Sequence, residues 1–315
     1  MTSNAPQRVE DYQWLSETAR KLSSLVTGEE ILDCLGQTLQ DRMEKALVVT
    51  LSRVQDQKLL TVEGVYGKRG NILSRVAELA GFDILGKSFP IEERLETSYQ
   101  SRELHRFPGK LEDFIGDHLP SPAVRVIQDV ISIQDIFTIG LVGEERMLGN
   151  IHIFTLPGEE IPAPALIESF IYQGALALER AEVTRELRES ERFHRQVFEG
   201  TTDALLIADQ EGAIVHCNAM ACRLYGYSRE ELVGLKIEQL VPPEDHHLLE
   251  EFLSGKGEEG LFSGQTRGLR KEGRVFPAEL RGRTIQIQGG DYRLASVRDV
   301  TLRKETQREL TFRRQ

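Results

Sequence analysis

Seven histidines and three cysteines are the side chains in this sequence best suited to ligate a metal or attack a substrate, and their spacing limits what they can do. His246 and His247 are adjacent in PPEDHHLLEEF (residues 242–252), where a helical pattern begins. A neutral imidazole is a good metal ligand, but neighbours on a helix point about 100° apart, so only one of the two can face a pocket. Glu244, Asp245, Glu250 and Glu251 around them read as a solvated face. His152 alternates with Ile151 and Ile153 in a strand pattern, without a second ligand at useful spacing. His105, His118, His194 and His216 stand alone. Cys34, Cys217 and Cys222 are odd in number and form no CxxC pair, which supports neither a disulfide framework nor a thiolate zinc centre. Cys217 and Cys222 flank Asn218 and read as small buried thiols. No phosphate-binding loop, GxSxG elbow, HExxH helix or paired-carboxylate arrangement stands out. No catalytic residue and no metal site are therefore expected.

The elements that position these side chains follow from periodicity. Trp14, Leu15, Leu22, Leu25 and Val26 lie near one face of a helix predicted over Val9–Val26. Thr27 and Glu30 form a capping box that starts a second helix, running to about Met43. The β-branched runs at 46–51 and 59–65 predict a hairpin, and Ile72, Leu73, Val76 and Leu79 predict a helix ended by Gly81. From 87 to 130 four prolines interrupt a mixed pattern. A second hairpin is predicted from Ile136–Leu141 and Met147–Thr155. After Pro164 an apolar helical face runs through Ile167, Phe170, Ile171, Ala175 and Leu178 and continues past the first domain.

Beyond Gly200 the pattern changes. Two short strands, 204–209 and 213–217, precede helical pieces, one begun by the capping box Ser228/Glu231 and one over about Asp245–Leu253. Three strands close the pattern: Leu261–Leu269, Arg274–Gln286 and Tyr292–Val300. That order excludes βαβ crossovers throughout, so the fold class is α+β.

The length of 315 residues predicts two domains, and 28% charged with 40% hydrophobic residues matches a globular chain. No apolar run approaches the roughly 20 residues of a spanning helix, and the first residues lack a signal-peptide pattern, so no membrane association is expected and the cytoplasm is the expected location. Residues 1–190 carry a net charge of −10 and residues 191–315 a net charge of −1. The one basic excess, Arg303 to Arg314, is too short for the basic stripe of a nucleic-acid binder, so no direct nucleic-acid partner is expected.

The strand-rich half contains, in order, TTDALLIAD, YGYSREELVG (225–234), RKEGRVFPAEL (270–280) and RDVTLR (298–303), and over about Arg192–Lys304 it closely resembles a PAS sensor domain. The earlier half, about Asp11–Ala181, resembles a GAF domain through its helix-hairpin-helix opening and IGLVGEERMLGNIHIF (139–154). The resemblance implies two antiparallel-sheet sensor domains, each with helices over one face and a cavity for a small ligand, joined by a helical linker at 165–198 and followed by an outgoing helix over 305–315. Fold alone does not assign function. Flavin photosensors of this family need a cysteine where this chain has Ile237, so LOV-type flavin adduct chemistry is disfavoured. A bilin would need a cysteine in the later part of the GAF half, where there is none, and is disfavoured too. Haem-binding relatives take an axial histidine near the position of His246 and His247, which makes these two the haem candidates; the arginine that helps hold oxygen in such relatives falls near Gly264.

The ending DVTLR resembles the Asp-Ile-Thr-x-Arg close of PAS domains, which implies that Asp299 pairs with Arg303 at the joint to the outgoing helix. Asp299 is also suited to cap a helix begun near Thr301. Val183, Leu187, Ser190, His194 and Val197 recur at coiled-coil spacing, a half-polar seam that fits a dimer interface and a solvated linker about equally. His194 lacks the acidic neighbour and downstream proline of a kinase phosphoacceptor, and about 14 residues after the last strand are too few for a further domain of roughly 50 or more. The sequence thus predicts a sensory signal-transduction protein that carries input only. It would respond to an unidentified small ligand or partner, dimerise, and act on a histidine kinase or response regulator in trans or as the input half of a sensor kinase, with a haem-based redox or gas sensor as the remaining alternative.

Overall fold

The computed structural model describes residues 5–43, 45–54, 58–67, 84–116, 124, 132–144, 146–254 and 261–312. The chain divides into two compact units, 1–187 and 188–315. The helix expected at Ile72–Leu79 lies outside the described residues.

In the first unit, the helices α1 (Ala5–Ser24) and α2 (Gly28–Arg42) precede the hairpin β1 (Leu47–Val54) and β2 (Leu59–Tyr66). The expected capping box opens α2: Thr27 Oγ1 accepts from the Glu30 amide at 3.3 Å, and the Glu30 carboxylate accepts from the Thr27 amide at 3.1 Å. The stretch that sequence patterning left mixed contains β3 (Ser88–Pro90), α3 (Glu93–Tyr99), β4 (His105–Arg106) and α4 (Leu111–Ile115). Next come β5 (Asp135–Val142), β6 (Met147–Thr155) and the 37-residue helix α5 (Pro164–Gly200), which begins in the first unit and ends in the second. The six strands pair antiparallel in the order β3-β2-β1-β6-β5-β4.

Helices cover both faces of this sheet, not one as the resemblance implied. On one face Val48, Ile139, Ile151 and Ile153 pack with Ile31, Leu35, Phe170 and Ile171. On the other, Val49, Leu60, Val62, Ile136 and Phe154 pack with Leu95, Tyr99, Leu111 and Phe114. The reason lies in β6, whose nine residues are all buried; a strand covered on both sides loses the alternation of a half-exposed one. Helix α3 is drawn onto the sheet at Gly140, where a Cβ would stand 2.0 Å from the Tyr99 carbonyl oxygen, so only glycine permits the approach.

In the second unit, β7 (Ala204–Ala208) and β8 (Ile214–Cys217) lead to α6 (Ala219–Tyr225), α7 (Arg229–Leu232), two 3-10 turns at Ile237–Leu240 and Pro243–Asp245, and α8 (His246–Ser254). Strands β9 (Leu261–Leu269), β10 (Val275–Ile287) and β11 (Gly290–Asp299) follow, then α9 (Thr301–Phe312). These strands form an antiparallel sheet in the order β8-β7-β11-β10-β9. Its core joins Leu206, Phe276, Leu280 and Val297 of the sheet to Leu224, Tyr225, Leu249 and Phe252 of the helices. Among the described residues no helix is long and apolar enough to cross a membrane.

Candidate functional site

The second unit holds a small apolar cavity between its sheet and its helical pieces, lined by Leu206, Tyr225, Leu240, Phe252, Leu280 and Val297 among others. Its volume is about 30 Å³, room for water-sized occupants and far short of a haem macrocycle. Burial pushes the Tyr225 phenol above its ordinary range. Neither haem candidate reaches the cavity. His246 Nε2 lies 3.1 Å from the Glu238 carbonyl oxygen and 3.2 Å from that of Val241, while the exposed His247 has Nδ1 3.1 Å from the Glu244 carbonyl oxygen. One nitrogen of each imidazole faces a backbone carbonyl at the start of α8, neither ring lines the cavity, and the cavity is far too small for the macrocycle, so the residues present do not fit a haem.

The arginine beside this cavity is Arg267 of β9, three residues beyond the Gly264 to which the resemblance pointed. Its guanidinium grips Asp245 with Nε to Oδ2 at 3.0 Å and Nη2 to Oδ1 at 2.9 Å, and its amide donates to the same carboxylate at 3.0 Å. These contacts hold the Asp245 carboxyl below its usual range and fix the turn before α8 against the sheet.

The strongest polar construction is at the helix joints. Asn218 is fully buried and caps α6, its Oδ1 accepting from the amides of Ala221 at 2.8 Å and Leu205 at 3.0 Å. Its Nδ2 donates toward the carbonyl oxygens of Phe198 and Asp203, both at 3.1 Å, and Thr201 Oγ1 at 2.9 Å. One side chain thus ties the end of α5 to β7 and α6. The Asp203 carboxylate in turn receives Arg298 of β11 through Nε at 2.8 Å and Nη2 at 2.9 Å, and this guanidinium holds the Asp203 carboxyl below its ordinary range. Asp299, the next residue, caps α9: Oδ1 accepts from the Thr301 amide at 2.9 Å.

Asp299 does form an ion pair, but with Arg270 at 3.1 Å and not with Arg303. Its Oδ1 is committed to the cap and its Oδ2 faces Arg270, which is anchored by the Leu224 carbonyl oxygen at 2.6 Å and stacked 4.8 Å from the centre of the Phe276 ring. Arg303 is exposed. Sequence reasoning missed Asn218, Asp203 and Arg270 as partners; the visible signals were the polar Asn218 between two small thiols and the acid that opens DALLIAD.

The three seam residues are exposed along α5: Val183 by 54%, Leu187 by 60% and Val197 by 52%, joined by Phe193 at 62%. Cys217 and Cys222 have sulfurs 3.9 Å apart, and burial, then the neighbouring thiol, pushes the Cys217 thiol up to about 11, in keeping with packing thiols. His152, in the first unit, is buried and forced toward the neutral form, its pKa lowered to about 3 by burial.

Residues 202–302 match the family model of the PAS domain, so the chain carries a PAS domain there. Among curated proteins it is similar to the methyl sulfide methyltransferase-associated sensor of Methanosarcina acetivorans, 28% identical over 142 residues, which is 45% of this chain and 14% of that protein. It is also similar to the sensor protein FixL of Bradyrhizobium diazoefficiens, 29% identical over 137 residues, covering 42% of this chain and 27% of that one. A solved structure of the PAS domain of an HTR-like protein from Haloarcula marismortui aligns at 24% identity with a TM-score of 0.35, covering 38% of this chain and 98% of that one. The chain spans 14–27% of the length of the curated relatives it matches. The second unit is thus a PAS sensor domain related to those of sensor proteins.

Proposed function

We propose that this chain is a sensory signal-transduction protein in which the first unit, a GAF-type domain, takes the input and the PAS domain relays it along helices to an output module, a histidine kinase or response regulator. One observation carries the reading: hydrogen bonds, joined by the backbone at Asp203 and at Arg298–Asp299, link the end of the incoming helix to the start of the outgoing one. They run from the Phe198 carbonyl through Asn218 to the Asp203 carbonyl, from the Asp203 carboxylate to Arg298, and, one residue along the strand, from Asp299 to the first amide of α9. A shift of α5 therefore displaces groups bonded to the strand that launches α9. The outgoing helix fits an element that settles on a partner, since Leu302 is 79% exposed and Leu310 59%. The GAF-type reading is supported by the antiparallel sheet and by a cavity on one face of it. The exposed Val183, Leu187, Phe193 and Val197 support a dimer along α5. The proposal assigns no catalytic residue.

Fusing residues 1–315 to the catalytic region of a histidine kinase, with the junction lengthened one residue at a time, tests the relay. Autophosphorylation should rise and fall with the helical period of about 3.6 residues, and Leu187→Asp should suppress it by weakening the dimer, whereas Arg188→Asp should not. A rate indifferent to junction length and to Leu187→Asp would sink the proposal.

A further inference from the structure

The second unit brings together two thiols that lie five residues apart in sequence. Cys217 ends β8 and immediately precedes Asn218, the residue that caps α6, and Cys222 is the fourth residue of that helix. Side chains at these two positions meet across a helix start, and here the sulfurs are 3.9 Å apart. The two differ in access: Cys217 is 1% exposed, whereas Cys222 is half-buried. Both flank Asn218, whose side chain ties the end of α5 to β7 and α6.

A cation stands beside the pair. Arg229 of α7 donates to the Glu199 carboxylate at 2.6 Å, and its pKa lies above the ordinary range, chiefly through that hydrogen bond and in smaller part through Cys217 and Cys222. A neighbouring guanidinium favours the thiolate, the form of cysteine that attacks an oxidant. Burial meanwhile keeps the Cys217 thiol protonated near neutral pH. The two sulfurs therefore suit different steps: Cys222 is the one a small oxidant meets first, and Cys217 lies in contact behind it.

We propose that Cys222 and Cys217 form an oxidative modification site, which hydrogen peroxide or another small hydroperoxide converts to an internal disulfide. The Cys222 thiol gives up its proton and its sulfur attacks one peroxide oxygen; the O–O bond breaks, hydroxide leaves and takes up a proton to become water, and the sulfur is oxidised to a sulfenic acid. The Cys217 sulfur then attacks that sulfur, the S–O bond breaks, and the hydroxyl departs with the Cys217 proton as a second water. One hydrogen peroxide and two thiols give one disulfide and two waters. Sulfurs 3.9 Å apart must close to about 2.05 Å, through rotation about the two Cα–Cβ bonds. The chemistry stands independently of the relay proposed above.

Trypsin cleaves after Arg195 and Arg223, so one peptide, residues 196–223, carries both cysteines and Met220 but not Cys34. The full chain, treated with hydrogen peroxide and then alkylated, should yield this peptide unalkylated and about 2 Da lighter than the dithiol, and dithiothreitol should restore both alkylation sites. Cys34, buried in the first unit, should be oxidised at least about tenfold more slowly. Cys217→Ala should stop the reaction at a Cys222 sulfenic acid that dimedone traps. Cys222→Ser should leave Cys217 open to alkylation after denaturation, and provides a second variant, at a half-buried position, should Cys217→Ala not fold. Retention of both alkylation sites once Met220 has become the sulfoxide overturns the proposal. So does oxidation of Cys34 at the rate of the pair, a disulfide-linked dimer in place of the internal bond, or a Cys217 that is oxidised as fast in Cys222→Ser as in the parent.

Discussion

The two units handle buried polar groups in opposite ways. In the PAS domain, Asn218 is fully buried and has a partner for both amide atoms, and the carboxylates of Asp203, Asp245 and Asp299 each face a guanidinium. Among the described residues its one shielded polar atom without a partner is Arg270 Nε. Among the described residues the first unit holds nine such atoms, including His105 Nε2, Thr138 Oγ1, Asn150 Oδ1 and His152 Nδ1 on the same sheet face. The cavities follow suit, about 30 Å³ with apolar walls for the most part in one and about 390 Å³ with mixed polar and apolar walls in the other. A satisfied network rigidifies and defines one geometry, whereas an unmet buried group costs its desolvation free energy. The proposed division of roles, reception in the first unit and transmission in the second, follows this contrast.

Removing the Asn218 amide should have the largest effect and tests whether the contrast also holds for stability. Asn218→Leu keeps the approximate volume but strands the Leu205 and Ala221 amides, at roughly 1–3 kcal/mol for each unmet group, so a loss of about 3 kcal/mol is expected. The single tryptophan, Trp14, packs on Phe170 in the first unit, with ring centres 5.1 Å apart. Urea unfolding followed by circular dichroism should therefore shift while the transition followed by Trp14 fluorescence stays in place. A common shift in both would mean that the units unfold as one and that the contrast has no energetic counterpart.

His152 offers the converse test, on the first unit alone. Its folded pKa of about 3 lies below the unfolded value of 6.5, so between these values the unfolded chain binds the extra proton. Stability is full above pH 6.5 and falls toward pH 3, by up to about 1.4 kcal/mol per pH unit. The Trp14 transition should show this slope, and His152→Phe should remove it. The PAS domain should hold until the pH falls below about 4.5, where Glu199 and Glu231, and below about 3.8 Asp203 and Asp245, all held under these ordinary values, begin to lose their partners. Equal slopes in parent and His152→Phe would show that His152 is not kept neutral by burial.

How much of this was legible in the sequence differs between the same two units. In the PAS half nearly every element came from local signals: the Ser228/Glu231 and Thr301 starts, the glycine-bearing turns, and the alternation of Phe276, Ala278 and Leu280 along β10. In the first unit, β5 and β6 were legible as apolar runs, but β4 has two residues and α4 has five, too short for any period to emerge. His105 looked isolated because its neighbours on the sheet, Thr138 and His152, are 33 and 47 residues away in sequence and meet only through register. The haem reading of His246 and His247 rests on residue type and position, while the carbonyls that face one nitrogen of each ring belong to turns whose geometry no local pattern announces. Asp299 was recognised as a joint, but its partner Arg270 lies in the β9–β10 turn, across the sheet and not along the helix.

That last substitution of partners gives the smallest and most selective prediction. Asp299→Ala removes the cap of α9 and the Arg270 pair, both partly exposed, so a loss of about 1 kcal/mol is expected and no more. Arg270 keeps the Leu224 carbonyl and the Phe276 ring, which limits the damage to the core. Arg303→Ala should stay within about 0.5 kcal/mol of the parent, as expected for an exposed side chain. A double-mutant cycle separates the two pairings directly: Asp299 with Arg270 should show coupling, and Asp299 with Arg303 none. If Arg303 couples and Arg270 does not, the aspartate answers to the outgoing helix and the relay ends there; if Arg270 couples, the cap of α9 is held by the sheet itself, and a movement of β9 or β10 reaches the outgoing helix through one carboxylate.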